Sequence, residues 1–233
     1  MRVAIISDIH ANLEALDKAL EIIAQKNIDE LICLGDLVGY GASPNECIDL
    51  VKRHTNGVLL GNHDQAAIDL KQADYFNTYA RQAAYWTNAA LTEEHTQYLR
   101  SLPYTHVDTE FTFVHSSPYE PEEWHYVFTI RDASQNFGHF KTAVCFIGHS
   151  HVPGIFCEDQ RTKEIKKGLR YLINVGSIGQ PRDGDWRLSF GIFDSDSWSF
   201  ETVRSEYDVD SAADKIVQAG LPRFLAERLY NGV

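Results

Sequence analysis

Apolar and polar positions fall into alternating blocks along the first quarter of the chain. Val3 to Ser7 is a short, largely β-branched run that reads as a strand. Asn12 is placed to cap a helix, and Leu13, Leu16, Leu20 and Ile23 follow at intervals of three and four, which predicts one apolar face. Leu31 to Leu34 is a second strand. Ser43-Pro44-Asn45-Glu46 has the pattern of a capping box with proline at the first helical position, and it opens a helix through about Arg53. Val58 to Leu60 is a third strand. Strands separated by helices of this length predict parallel βαβ units.

The period then changes. Tyr75, Tyr79, Ala83 and Trp86 recur at helical spacing, and Thr92-Glu93-Glu94 starts another helix with acidic residues suited to its N-terminus. This aromatic stripe reads most simply as core packing, with a nucleobase-stacking wall as the alternative. Strand-rich sequence follows. Tyr104 to Val107 and Phe111 to Val114 form a candidate pair, and Val144 to Ile147, Ile155 to Cys157 and Tyr171 to Val175 are further strands. Leu188, Phe190 and Ile192 alternate, Asp194 to Ser197 is a turn, and Trp198 to Val203 returns as a hairpin partner. From Asp208 the pattern is helical, broken at Gly220 and restarted at Pro222, with Leu221, Leu225 and Leu229 on one face. No repeat or linker interrupts the chain. One domain over residues 1–233 is expected, with a helical insert at about 66–102.

Composition narrows the class. The chain has 233 residues, 44% hydrophobic and 23% charged, ordinary proportions for a globular protein with a substantial core. No run approaches about 18 consecutive apolar residues, so no membrane span is expected. The apolar start, Met1 to Ile6, is too short for a secretory signal. Cys33, Cys47, Cys145 and Cys157 show no close pairing, and Cys33 and Cys145 lie inside apolar runs. A reduced, cytoplasmic setting is the expectation. The net charge of −12 argues against nonspecific nucleic-acid binding. It leaves a phosphorylated substrate open, because divalent cations reverse the sign inside a cleft. The one basic run, Arg161 to Arg170 with Lys163, Lys166 and Lys167, reads as a solvated hairpin tip.

The chemistry lies where strands end. Asp8-Ile9-His10, Gly35-Asp36, Gly61-Asn62-His63-Asp64, His115 and Gly148-His149-Ser150-His151 come in this order, most of them just after an apolar run. Asp8 with His10, and His149 with His151, are spaced i and i+2, so an extended backbone would point each pair the same way. Asp36 offers two oxygens, and Asn62 a carbonyl oxygen. His63 is placed to reach a substrate, and Asp64 to fix its tautomer. Each motif alone has a bland reading: a turn, a helix cap or a half-buried histidine. Five ligand-rich strand ends in one chain point instead to a shared site for two divalent cations and a phosphate ester.

This order of motifs resembles the calcineurin-like metallophosphoesterases, whose pattern is DxH, GD, GNH followed by an acid, H, and GHxH. Asn174-Val175-Gly176-Ser177 and Gln180-Pro181-Arg182-Asp183-Gly184-Asp185 also resemble the bacterial YfcE-like branch. The resemblance implies an α/β fold of two mixed β-sheets sandwiched between helices. It implies that Asp8, His10 and His151 hold one ion, that Asn62, His115 and His149 hold a second, and that Asp36 bridges them. His63, oriented by Asp64, would be the catalytic acid or phosphate contact. The donor set favours Mn²⁺ or Fe, with Zn²⁺ compatible. The implied reaction is attack on phosphorus by a hydroxide bridging the two metals, with His63 protonating the leaving oxygen.

The loop Gly35-Asp36-Leu37-Val38-Gly39-Tyr40-Gly41 lacks the arginine of the GDxxDRG loop that serine/threonine protein phosphatases of this superfamily carry, and the acid after GNH is Asp64 rather than glutamate. Both departures disfavour a phosphoprotein and favour a small phosphodiester or nucleotide-type ester. A dinucleoside polyphosphate hydrolase is the most specific version. A non-catalytic scaffold predicts lost ligands, and none is lost. Arg182 and Tyr119 are the candidate substrate contacts. Arg182 has a surface salt bridge with Asp183 or Asp185 as its alternative. Ser116-Ser117-Pro118-Tyr119 would form a rim whose aromatics Tyr119, Trp124, Tyr126 and Phe128 either stack on a base or pack locally.

Overall fold

The computed structural model describes residues 1–160 and 164–233. The first βαβ units form as the pattern predicts: β1 (Arg2–Ile6), α1 (Leu13–Ala24), β2 (Glu30–Cys33), α2 (Pro44–His54) and β3 (Gly57–Val58). β1 pairs with β2 and β2 with β3, both in parallel. Asn12 caps α1, its side chain accepting from the Ala15 N–H. Ser43 stands before Pro44 at the start of α2, but its side chain makes no capping bond, so the capping box does not form. β3 is shorter than expected because Leu60 turns away and donates its N–H to the Pro103 carbonyl.

The chain then forms α3 (Asn62–Ile68), α4 (Thr78–Ala90) and α5 (Glu93–Arg100). The second sheet then builds from β4 (Thr105–Val107) and β5 (Phe111–Val114), α6 (Ile130–Asn136), β6 (Val144–Ile147), β7 (Gly154–Cys157) and β8 (Tyr171–Asn174). Its order is β4-β5-β6-β8-β7, with the β5, β6 and β8 trio parallel and both edges antiparallel. The hairpin β9 (Leu188–Asp194) and β10 (Ser199–Ser205) crosses back to complete the first sheet as β10-β9-β1-β2-β3. α7 (Val209–Gln218) and α8 (Arg223–Glu227) close the chain on either side of Gly220.

Period-two alternation sorts these strands into layers. Val3 and Ile5 meet Phe111, Phe113, Val144, Phe146, Tyr171 and Ile173 between the sheets. Ala4 and Ile6 face the opposite way, against α1, α2, α7 and α8. Val114, Cys145, Ile147 and Leu172 pack under Ala133 of α6. The result is an α/β fold in which two mixed sheets lie face to face with helices on their outer surfaces. Central strands are buried on both faces, which is why their sequences are nearly continuous apolar runs.

The aromatic stripe divides. Ala83 is buried and Trp86 packs at the core edge, whereas Tyr75 is 88% exposed and Tyr79 44%. Core packing therefore accounts for only half of it. All four cysteines are free and buried. Residues 161–163 of the expected basic hairpin tip lie outside the described residues, and Lys166 and Lys167 are exposed. Among the described residues no helix is long and apolar enough to cross a membrane.

Phe146 is the centre of the inter-sheet layer, with ring centroids 5.7 Å from Phe111, 5.5 Å from Phe113 and 5.8 Å from Phe193. Phe146→Ala is expected to cost about 3–5 kcal/mol of unfolding free energy. Chemical denaturation measures this, and a loss below about 1 kcal/mol would show that the two sheets do not depend on this layer.

Candidate active site

The motif residues follow the carboxyl ends of β1, β2, β3, β5 and β6, and the two parallel sets of strands bring those ends together. Asp8, His10, Asp36 and His151 have ligand atoms within 4.8 Å of one another, and Asp36, His115 and His149 form a second such group. All are buried. Asp36 belongs to both groups. Its Oδ2 lies 3.6 Å from His10 Nε2 and 3.4 Å from His115 Nε2. Asp8 Oδ1 lies 3.2 Å from His151 Nε2. Asn62 Oδ1 is 3.3 Å from His115 Nε2.

The backbone reaches this arrangement in a way the spacing did not suggest. Asp8, His10, Asp36, His149 and His151 all have positive φ, between 52° and 64°. The i, i+2 pairs are therefore not extended. Each chain turns sharply past its strand, in the left-handed region that costs a residue with a Cβ about 1 kcal/mol. Main-chain bonds from Asp8 N to Gly35 O, His10 N to Asp36 O and Ala11 N to Leu37 O hold the first two loops together. Gly61 fits against the Asp36 loop so closely that an added Cβ would lie 2.1 Å from Asp36 Oδ1 and 2.3 Å from Asp36 N.

Hydrogen bonds behind the cluster set its polarity. The Nδ1–H groups of His10, His115 and His151 donate to the carbonyls of Val38, Leu34 and Gln180. With Nδ1 committed, each ring turns Nε2 inward. Asp8 Oδ1, Asp36 Oδ2 and His149 Nε2 are buried and accept or donate no hydrogen bond. His10 Nε2 and His151 Nε2 stand only 3.0 Å apart. Unsatisfied carboxylate oxygens and convergent imidazole nitrogens are costly in a buried site unless a cation lies among them. The donor set thus fits two divalent ions sharing Asp36.

The electrostatics agree. Burial pushes both carboxyls up, but His151 and His115 outweigh it at Asp8, and His115 and His63 at Asp36, so both remain ionised. Burial depresses His149 to about 3 and His10 well below its ordinary value, which keeps both imidazoles neutral. At His115, burial is opposed by Asp36 and Asp8, and the group rises to about 9. Its Nε2 faces Asp36 Oδ2 at 3.4 Å, where a cation would take the place of that second proton.

His63 stands beside this cluster. Its ring packs 4.3 Å from Tyr40, 4.6 Å from Phe76 and 4.9 Å from His10, and burial lowers it to about 4. Asp64 does not hold the ring, contrary to expectation. Its carboxylate accepts from the Val38 and Gly61 N–H groups, while His63 Nδ1 has no partner. Asp64 pins the loop that carries Asp36, and the ring is placed by its aromatic neighbours instead. Burial and the nearby Asp36 raise Asp64 to about 8.

Arg182 makes no salt bridge with Asp183 or Asp185, which pair with Arg204 and Arg187. Its guanidinium bonds Gln180 Oε1 at 2.8 Å and Tyr40 Oη at 3.3 Å, beside the cluster. Tyr119 lies elsewhere, against His125 and His139. The aromatic that covers the site is Tyr126, stacked 4.1 Å from His149. Trp124 sits edge-on to His115 and donates to Gln65 Oε1. A cleft of about 690 Å³ opens there, lined by Asn62, Gln65, Phe76, Trp124, Tyr126 and His149, with Glu122 and Glu123 among its other walls. The supporting bonds from Asn174 Nδ2 to Gly148 O and from Ser177 Oγ to Asp8 O also had no signal of their own beyond the quoted motif.

Gly61→Ala is expected to displace Asp36 while leaving the fold intact by circular dichroism. Mn²⁺ binding, measured by equilibrium dialysis, should weaken roughly tenfold or more. Unchanged binding would mean that the loop yields without moving the carboxylate.

Comparison with known proteins agrees with this geometry. A metallophosphoesterase from Sphaerobacter thermophilus superposes with a TM-score of 0.89 at 41% identity, covering 100% of this chain and 99% of that one. An uncharacterized protein of Methanocaldococcus jannaschii is 40% identical over 99% of this chain and 98% of its own length. A symmetrical bis(5'-nucleosyl)-tetraphosphatase of Psychromonas ingrahamii is 31% identical over 49% of this chain and 42% of its own length. Residues 1–197 match the calcineurin-like phosphoesterase superfamily domain, and the chain belongs to that metal-dependent hydrolase family.

Proposed function

We propose that this protein hydrolyses a phosphodiester or nucleotide-type phosphate ester with two divalent ions. The observation that carries the reading is the pair of buried carboxylate–imidazole groups sharing Asp36. Asp8, His10 and His151 would hold one ion with Asp36, and Asn62, His115 and His149 the other. Oxygen and imidazole donors without thiolate favour Mn²⁺ or Fe, and Zn²⁺ is compatible. When bound, such ions supply Lewis acidity toward phosphate oxygens and a water of lowered pKa.

The chain's own groups do the rest. Burial keeps the His63 imidazole neutral in the isolated cluster, so it first meets the phosphate as a hydrogen-bonding group. Its Nδ1 is enclosed against Gly39, which leaves Nε2 to face the substrate. The negative charge of a bound ester offsets the desolvation that neutralises the ring, so the imidazole would take up a proton from solvent and pass it to the leaving oxygen. Arg182 lies on the Tyr40 side as a phosphate contact. The opposite cleft carries Glu122 and Glu123 with aromatic side chains and glutamines, and among the described residues neither lysine nor arginine lines it. That lining suits a planar, uncharged portion of the substrate and repels a polyphosphate chain. Dinucleoside polyphosphate hydrolysis is the second reading. It is supported by the partial match to the tetraphosphatase, provided the phosphates lie on the arginine side.

Chelator-stripped enzyme, reloaded separately with Mn²⁺, Fe²⁺, Zn²⁺ or Mg²⁺, should hydrolyse bis(p-nitrophenyl) phosphate faster than p-nitrophenyl phosphate, with Mn²⁺ or Fe²⁺ most effective. Diadenosine tetraphosphate in the same panel tests the second reading. A preference for the monoester would overturn the diesterase ranking, and no hydrolysis in any combination would reject the function. Asp36→Asn and His63→Ala should each lower kcat by about 10²–10⁴-fold with the fold preserved. A His63→Ala protein turning over at the original rate would remove His63 from the chemistry.

A further inference from the structure

Two arginines converge on one ring beside the active site. The Arg182 Cζ lies 5.6 Å from the Tyr40 ring centroid, and the Arg228 Cζ lies 5.7 Å from the same centroid. Arg182 arrives from the connection between β8 and β9, its backbone N–H bonded to the His151 carbonyl. Arg228 arrives from the C-terminal segment just after α8, beyond the residues that match the family domain. Tyr40 packs in turn on His10 at 4.7 Å and on His63 at 4.3 Å. The pair of cations therefore borders the site on its His10 and His63 side.

No side-chain carboxylate lies within 4 Å of either guanidinium among the described residues. Arg182 Nε is buried and unpartnered. Arg228 is half-buried, and its Nε donates to the Val233 main-chain oxygen, which leaves its terminal nitrogens facing Tyr40. Burial and the adjacent Arg182 charge lower Arg228 to about 10. A chain with a net charge of −12 has acidic side chains in excess, yet among the described residues none pairs with either guanidinium. Two like charges held together in a partly desolvated place are unfavourable without an anion between them.

Resting on the hydrolase reading above, we infer that Arg182, Arg228 and the Tyr40 hydroxyl form a clamp for a second anionic group of the substrate. This group is a phosphate remote from the bond that is cleaved. Guanidinium donors suit phosphate oxygens, and the phenol adds a hydroxyl donor. The clamp selects esters with an additional phosphate on the arginine side, while the acidic, aromatic cleft beyond His149 takes the uncharged portion. Phe224, stacked on Tyr79 of the insert at 4.7 Å and 5.5 Å from Arg228, fixes where this arginine stands.

Two matched diesters test the clamp: thymidine 5'-(p-nitrophenyl phosphate) and the same compound bearing a 3'-phosphate, both followed by nitrophenolate release with the Mn²⁺-loaded enzyme. The wild-type protein should show a lower KM for the phosphorylated ester. Arg228→Gln should reduce that preference about tenfold, through KM rather than kcat, and Arg228→Lys should restore part of it. An unchanged preference ratio would overturn the clamp. An equal loss on both esters would also overturn it, since Arg228 would then act only by packing on Tyr40 and Phe224. Calorimetric binding of thymidine 3',5'-bisphosphate separates this from the hydrolase reading. Binding about tenfold weaker in Arg228→Gln supports the clamp even if neither ester is turned over, and equal binding refutes it.

Discussion

The carboxylate of Asp36 is the point on which the site depends. One oxygen accepts the His63 N–H at 2.8 Å, and the other faces His10 and His115 with no hydrogen bond. A carboxylate stripped of water costs several kcal/mol unless positive charge surrounds it. Here four buried histidines and one further carboxylate close on it from the ends of β1, β5 and β6. The cluster is unfavourable by itself and favourable once cations occupy it, so metal binding and the order of these loops are thermodynamically linked.

Holding such a cluster requires strain and a rigid frame to bear it. Five of the cluster residues sit in the left-handed region. Their cost is met by the bonds that extend the pairing of β1 and β2 into the loops beyond, and by Asp64, which ties the Asp36 loop to Gly61. The aromatic layer between the sheets fixes the strands themselves. The surfaces that border the cluster have a different origin. Phe76 lies between α3 and α4, Tyr126 in the loop after β5, and Arg228 in the C-terminal segment. On the proposed function, reaction and selectivity are thus carried by separate parts of the chain, and the selective parts lie outside the strand-end motifs.

What the sequence by itself determined were features governed by local physics. Apolar periods placed the βαβ start, the second sheet and the terminal helices, because buried strands and amphipathic helices leave period-two and period-3.6 traces. The donor types and their strand-end positions marked the seven cluster residues for the same reason: few pressures besides metal binding put so many carboxylates and imidazoles next to apolar runs. The missing arginine in the loop after Asp36 was equally legible.

Only the tertiary structure decided how those residues meet and what surrounds them. An i, i+2 spacing does not reveal that both residues turn left-handed, since that conformation is imposed by neighbouring loops. Asp64 next to His63 in sequence points to the Val38 and Gly61 backbone in space. Tyr119 stands close to His115 in sequence, yet Tyr126, seven residues later, covers the site because the chain loops back over His149. Arg228 is 188 residues from Tyr40 and carries no local pattern at all. Contacts between residues so distant leave no periodic trace, because they arise from the packing of complete layers against one another.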